Sequence, residues 1–275
     1  MRMFLIEKEL SAGLMTDILQ ALLLIISGFF GGVFLGMGAG TTGAILIMVL
    51  TVVFGHSIHN AIGTSLLIDC IIGIIAGLLY FRNNNVNLRP AVVIGICGAL
   101  GSFIGSQFTS QTPEVALILL LSSLLIIVGI SFIIKGVDTN IEFIRTKMKI
   151  HVLQKYTLVI FIVFGIIAGF GNGYTGMGIG GIIALFLLLF LDYDLVTAIG
   201  TSLLLLVCIS GAGAVGHILK NEIIYPVVLM VGVSAAVGAV AGSVYAQKIN
   251  QMKLGRLVGC IIIIMGLIML LRAFT

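Results

Sequence analysis

Residues 61–67 read AIGTSLL, and residues 198–204 read AIGTSLL again, letter for letter and 137 positions on. GALGSFIGS at 98–106 is echoed by SAAVGAVAGS at 234–243, which sets Gly101, Gly105 and Ser106 against Gly238, Gly242 and Ser243 at the same spacing. GMGAG at 36–40 likewise resembles GMGIG at 176–180, here 140 positions apart. Glycines, Thr and Ser kept twice inside apolar sequence indicate a duplicated membrane unit. In such proteins the substrate site lies where the two repeats meet, at interrupted helices. A transporter is therefore the leading expectation.

Composition narrows the fold class. The chain is 60% hydrophobic and 9% charged, where a soluble domain carries about 25% charged residues. Apolar runs near the ~20 residues needed to cross a hydrocarbon core recur throughout. The reading is an all-α, polytopic helical membrane protein with ten apolar segments in two sets of five. They run over 17–36, 42–55, 61–81, 90–108 and 115–135, then 157–173, 179–191, 196–219, 223–246 and 256–274. The organisation is an interfacial N-terminal segment (1–16), a first membrane repeat (17–135), a cytoplasmic linker (136–156) and a second repeat (157–275). The acids between the first basic residues and the first apolar run argue against a cleaved signal peptide. Five crossings per repeat is an odd number, so inverted repeats are preferred over parallel ones.

The net charge of +4 does not point to nucleic acid. Arg145, Lys147, Lys149, His151 and Lys155 share one loop, and Lys248, Lys253 and Arg256 another, which is how cytoplasmic loops are marked. The predicted location is the inner (plasma) membrane, multi-pass.

The second segment of each set is short and follows a glycine cluster, so each repeat should contain a broken or re-entrant helix. Irregular backbone at that depth is tolerated only when buried in protein or lining a wet cavity. A helix start there offers free N–H groups and the positive end of a dipole, and glycine lets an anion come close. The candidate substrate-binding residues are Gly36, Gly38, Gly40, Thr41 and Thr42 in repeat one, with Asn172, Thr175, Gly176, Gly178 and Gly180 in repeat two. The duplicated AIGTSLL adds Thr64, Ser65, Thr201 and Ser202, and Asn60 precedes its first copy. Elsewhere, glycines four apart (Gly28/Gly32/Gly36/Gly40, Gly73/Gly77, Gly101/Gly105, Gly169/Gly173, Gly238/Gly242) read as close helix-packing faces.

Asp69 is the acid predicted deep in an apolar segment, and an intramembrane carboxylate marks an ion or proton pathway. It is the candidate coupling residue, with protons as the coupling ion. No cofactor or metal motif is read. GAGTTG at 38–43 fits the dinucleotide-binding pattern, but membrane-length runs flank it where a soluble strand–helix unit is required. His56 and His59 lack a third ligand of the right type, and His217 reads as interfacial. Cys70, Cys97, Cys208 and Cys260 form no CxxC pair and read as small buried hydrophobes. Nothing suggests an enzyme.

The opening Gly31, Gly32, Gly36, Gly38 and Gly40, the duplicated A-x-G-T-S-L element and the paired halves resemble the TauE/SafE family of sulfite exporters over residues 18–274. That resemblance implies a permease for small sulfur-containing anions such as sulfite or organosulfonates, its partners being that anion and the lipid bilayer. Paired through the GMGAG and GMGIG clusters, repeat two departs by having Asn172 opposite Gly32. Two other classes stay open: a transporter of a cation, amino acid or metabolite that uses Asp69, and a membrane assembly protein that uses its glycine faces.

Overall fold

The computed structural model describes residues 2–37, 42–89, 91–127, 157–191 and 193–245, with residues 130, 260, 263, 264 and 266–271. Among them every regular element is helical. In chain order these are α1 (Arg2–Gly36), α2 (Thr42–Met48), α3 (Ile58–Arg82) and α4 (Val92–Thr109), then α5 (Glu114–Ile127), α6 (Thr157–Thr175), α7 (Gly180–Phe190), α8 (Leu195–Ile218) and α9 (Tyr225–Tyr245). Six stretches among the described residues are long and apolar enough to cross a membrane: Ile18–Gly36 within α1, α3, α4, α6, Val196–Ile218 within α8, and α9. Helix α2 runs on into a π-helical turn, Val49–Val53, where the Phe54 N–H reaches the Val49 carbonyl at 3.2 Å. There the Thr51 hydroxyl donates to the Ile47 carbonyl at 2.7 Å, a side chain competing with the helix ladder.

The helices start where side chains can cap them. Ser57 accepts the Asn60 N–H ahead of α3 at 3.3 Å, and Asp194 accepts the Thr197 N–H ahead of α8 at 3.1 Å. Hydrogen bonding from Thr197, against modest burial, holds the Asp194 carboxyl below the usual carboxylate range.

Burial is arranged for lipid. Leu78, Ile96, Leu100, Ile167, Leu229 and Val233 point outward, while Thr64, Ser65, Asp69, Asn172 and Thr201 are buried. Cys208 and Cys260 are exposed, not buried as the sequence suggested. In lipid the outer face is as apolar as the core, so an apolar run says nothing about which side a cysteine takes.

Glycine sets the helix pairing. A Cβ at Gly28 would press on Val231 of α9, one at Gly32 on the Ala235 carbonyl, and one at Gly36 on the Ala239 carbonyl. The partners climb together, so α1 and α9 run parallel. A Cβ at Gly165 would press on Ile94 of α4, at Gly169 on the Gly98 carbonyl, and at Gly173 on the Ser102 carbonyl, so α4 and α6 also run parallel. From the other side, Gly101 and Gly105 meet the carbonyls of Ile166 and Phe170, while Gly238 and Gly242 meet those of Phe29 and Val33. Helices α3 and α8 instead run antiparallel: Gly63 faces His217 and Glu222, the Cys70 thiol lies 3.6 Å from the Val207 carbonyl, and Gly200 faces Tyr80 and Asn85. Each contact between different pairs has a counterpart 137 positions on with the partners exchanged.

These contacts predict opposite effects for two glycines. Gly238→Val drives a branched side chain into the Phe29 backbone and should destabilise the folded protein by roughly 3 kcal/mol or more. Gly171, on α6, would bring a Cβ into open space, and Gly171→Ala should raise stability by up to about 1 kcal/mol. Thermal melting in detergent checks both, and equal melting temperatures for the two variants would contradict the packing account.

Candidate functional site

Helix α6 ends at Thr175 because the chain then turns through left-handed backbone, with φ of 64° at Gly176 and 71° at Gly178. Residues with a Cβ rarely take that conformation, and glycine takes it freely. At Gly176 space is short as well: a Cβ would lie 2.8 Å from the Ser65 hydroxyl and 2.9 Å from Ile62.

The break is held by named bonds. The Gly176 N–H closes the last turn of α6 on the Asn172 carbonyl at 2.8 Å. The Thr175 hydroxyl donates to the Gly171 carbonyl at 2.7 Å and accepts the Met177 N–H at 3.4 Å. Asn172, wholly buried, accepts the Ile179 N–H at 3.3 Å and donates to the Ser210 hydroxyl of α8 at 2.9 Å. The Ser65 hydroxyl of α3 points at both the Ile62 and Gly176 carbonyls, at 2.8 and 3.0 Å. Gly43, near the start of α2, packs directly on the Gly176 carbonyl. Four helices, α2, α3, α6 and α8, thus meet at one interruption. No described acceptor takes the first N–H groups of α7, those of residues 180–182. Gly180 itself has only Leu35 and Leu206 side chains near its Cβ position.

Other candidates lie elsewhere or act on backbone. Gly38, Gly40 and Thr41 fall outside the described residues. Thr42 is buried, and its hydroxyl donates to the Gly31 carbonyl at 2.7 Å, tying α2 to α1. Gly36 backs onto α9, and its carbonyl accepts the Tyr80 hydroxyl at 3.1 Å. Asn60 is half-buried in the first turn of α3, its carbonyl accepting the Thr64 hydroxyl at 2.6 Å. Thr64 also accepts the Ile224 N–H at 3.0 Å, and Thr201 accepts the Asn87 N–H at 3.0 Å. These two threonines therefore brace connections at opposite ends of the α3–α8 pair. Ser202 donates to the Ile199 carbonyl at 2.8 Å.

Asp69 lies near the middle of α3, fully buried, and among the described residues neither carboxylate oxygen has a hydrogen-bond partner; the buried Ser102 hydroxyl of α4 has none there either. An unpaired buried carboxylate is costly, and such groups persist where they serve an ion or proton.

The sequence did not reveal the Asn172–Ser210 bond, or the Thr109 hydroxyl that reaches the Gly173 and Tyr174 carbonyls at 3.3 and 3.0 Å. His217, read as interfacial, has its ring wholly enclosed by protein and lies 2.7 Å from Glu222. The signal that could have found them is the 137 spacing, which sets Leu35, Gly73 and Tyr80 opposite Asn172, Ser210 and His217.

Long apolar helices, one of them interrupted in its apolar run by glycines at positive φ, with a buried carboxylate at mid-helix, define a multi-pass membrane protein built for transport. The chain belongs to the sulfite exporter TauE/SafE family, which matches residues 24–269. It is 27% identical over 256 residues to "Probable membrane transporter protein YdhB" of Bacillus subtilis, covering 90% of this chain and 100% of that one. It is 26% identical to a "Probable membrane transporter protein" of Methanocaldococcus jannaschii, over 90% of this chain and 95% of that one. "Probable membrane transporter protein YunE" of Bacillus subtilis is 22% identical, over 85% and 94%. No solved structure matches the chain at a significant level.

The Asn172 bridge makes a prediction about the break. Asn172→Leu places there the residue found 137 positions earlier, Leu35, but leaves the Ser210 hydroxyl and Ile179 N–H buried without partners. It should cost about 1–3 kcal/mol. A double-mutant cycle of Asn172→Ala with Ser210→Ala should return a coupling of about 1 kcal/mol, measured by chemical denaturation in mixed micelles. Strict additivity would remove the bridge from the account.

Proposed function

We propose that this protein is a secondary transporter of small sulfur-containing anions such as sulfite or organosulfonates. It works by alternating access around a midplane site between two inverted repeats, residues 17–135 and 157–275, in the inner membrane. The observation that carries the reading is the α6–α7 break: left-handed glycines, first α7 N–H groups with no acceptor among the described residues, and Ser65 and Gly43 of the other half packed against it. Neutral donors at a helix start suit an anion that must also be released. The family description supplies the sulfur-anion class.

The inverted arrangement is supported by the exchanged contacts. Helices α3 and α8 are 137-position counterparts and pack antiparallel, so an axis relating them stands perpendicular to both, in the membrane plane. The contact spacing also sets Gly36 opposite Gly173 and Gly32 opposite Gly169. The GMGAG and GMGIG likeness is three residues out of that register, and Asn172 falls opposite Leu35. The substrate-facing set then centres on Ser65, Asn172, Thr175, Gly176, Gly178 and Gly180, joined by Thr42, Ser202 and the cluster at 36–41. Thr64, Thr201 and Asn60 support it.

Flux of labelled sulfite into proteoliposomes tests the substrate class, with a cation and a neutral amino acid as comparators. Gly178→Val, which forces a β-branched residue to φ near 71°, should abolish flux while the protein still inserts and purifies as a folded species. Full sulfite flux in this variant would move the site elsewhere.

Asp69 is assigned to coupling. A carboxylate alone at mid-depth can take up and release a proton as the site turns between faces. Outward movement of an anion is already favoured by about 2.3 kcal/mol per charge per 100 mV in a cell negative inside. Proton coupling then serves uptake or charge balance. Asp69→Asn should keep substrate binding and lose the response of flux to an imposed pH gradient at clamped voltage. A response matching wild type would make Asp69 structural.

A further inference from the structure

At the α4–α5 and α8–α9 end of the molecule a polar cluster surrounds the last turn of α8. His217 Nδ1 lies 2.7 Å from Glu222 Oε2, with the imidazole fully buried and the carboxylate partly open to solvent. His217 Nε2 lies 3.4 Å from the Gly173 carbonyl, at the end of α6 and three residues before the left-handed turn at Gly176. Both ring nitrogens therefore face acceptors. Burial pushes the Glu222 carboxyl up, but the hydrogen bond and charge of His217, the Ser110 hydroxyl and the charge of His59 together hold it below the usual carboxylate range. Glu222 is then ionised and can only accept. Its tautomer assigned by these acceptors, the ring carries its proton on Nδ1, and only the imidazolium also donates to Gly173.

Every neighbouring element contributes to the field around this pair. The connection after α8 gives Lys220, whose ammonium donates to the Ser110 hydroxyl at 2.9 Å and the Gln107 carbonyl at 3.0 Å. Helix α3 gives His59, which reaches the Thr112 carbonyl at 3.0 Å and sits 3.7 Å from Glu114 of α5. Helix α6 gives Tyr174, whose hydroxyl meets that of Thr112 at 3.0 Å. Helix α4 gives Ser110, which donates to Glu222 at 3.0 Å.

The decisive comparison lies 137 positions earlier. There Tyr80 occupies the place of His217 and makes the same bond, its hydroxyl donating to the Gly36 carbonyl at 3.1 Å, and Asn85 stands where Glu222 does. A phenol caps the end of α1, and neither it nor the amide of Asn85 titrates near neutrality. An imidazole backed by a carboxylate caps the end of α6.

We propose that His217 and Glu222 form a proton-binding site that latches the α6–α7 break at one face of the protein. With the proton bound, the imidazolium sits against the negative end of the α6 dipole and holds the Gly173 carbonyl. When the Nε2 proton is lost to water, the ring keeps its Nδ1–H bond to Glu222 and turns a lone pair on Gly173. The cap loosens next to the residues assigned to substrate. This deepens the transporter reading and rests on it only for the link to flux; the site is separate from Asp69.

The test begins without substrate. Hydrogen–deuterium exchange of the protein in nanodiscs, corrected for intrinsic pH dependence, compares about pH 5.5 with about pH 8, a range that spans imidazole titration. Protection of amides 173–180 should fall about tenfold at the higher pH, the scale of a cation lost from a partly buried helix C-terminus. Amides 30–36, capped by Tyr80, should not respond. His217→Tyr with Glu222→Asn, which installs the Tyr80 and Asn85 pair of the other half, should flatten the response at 173–180, whereas Asp69→Asn should keep it. Glu222→Gln alone serves should the double variant fail to fold, and it should weaken the response. Wild-type protection independent of pH, or a response that survives in these His217 and Glu222 variants, overturns the proposal. Labelled sulfite flux then follows the same pH profile in wild type and becomes flat in the double variant. Sulfite flux absent from wild type, with the exchange response intact, would sink the substrate class and leave the latch standing.

Discussion

Direct contact between helix backbones is the interaction on which this structure depends. Lipid is as apolar as leucine, so helices gain little by hiding hydrophobic faces from it, and association rests on close van der Waals approach. Along α1–α9 and α4–α6, glycines four residues apart bring each helix onto the carbonyls of its neighbour. No side chain stands between them, which fixes both spacing and register. A shift of one residue would replace a glycine with a side chain pressed into a carbonyl.

That rigidity explains how a broken helix can persist beside it. With α6 clamped to α4 through Gly165, Gly169 and Gly173, its end is held in place, and the chain beyond can leave helical geometry without unravelling what precedes it. The liberated carbonyls of residues 173, 174 and 176 and the N–H groups of residues 177 and 179 are met one at a time by Thr109, Ser65, Thr175 and Asn172. Every partner comes from a helix end or a tightly packed face, because only there can a short side chain reach a neighbouring backbone.

The helices were legible in the sequence because membrane thickness demands long apolar runs, and the ends of those runs are polar. The glycine faces were legible for the same physical reason that makes them work: four-residue spacing puts them on one side of a helix. Register was not. The GMGAG and GMGIG clusters look alike yet stand three residues out of the register that the helix contacts set, so their likeness does not report a shared place. Thr64 and Thr201 show a second limit, since their partners, the N–H groups of residues 224 and 87, lie more than 100 positions away along the chain. His217 shows a third. Position near a helix end gives depth, but enclosure by Glu222, Gly173 and Gly63 of α3 is a property of the tertiary fold.

The two halves share their backbone contacts and diverge in their polar chemistry. Asp69, Asn172, Ser210, His217 and Glu222 stand where the 137 spacing sets Leu206, Leu35, Gly73, Tyr80 and Asn85. A symmetric scaffold has two equivalent ways to tilt, one opening each face, and by itself gives neither state an advantage. Differential interactions are what bias such an equilibrium, and a ligand shifts it only by binding the two states unequally. Unlike polar groups at exchanged positions, Asp69 in the first half and Asn172, Ser210, His217 and Glu222 in the second, can supply that inequality. On the proposed reading, protons favour one tilt over the other while the glycine contacts, repeated in both halves, keep either state within reach.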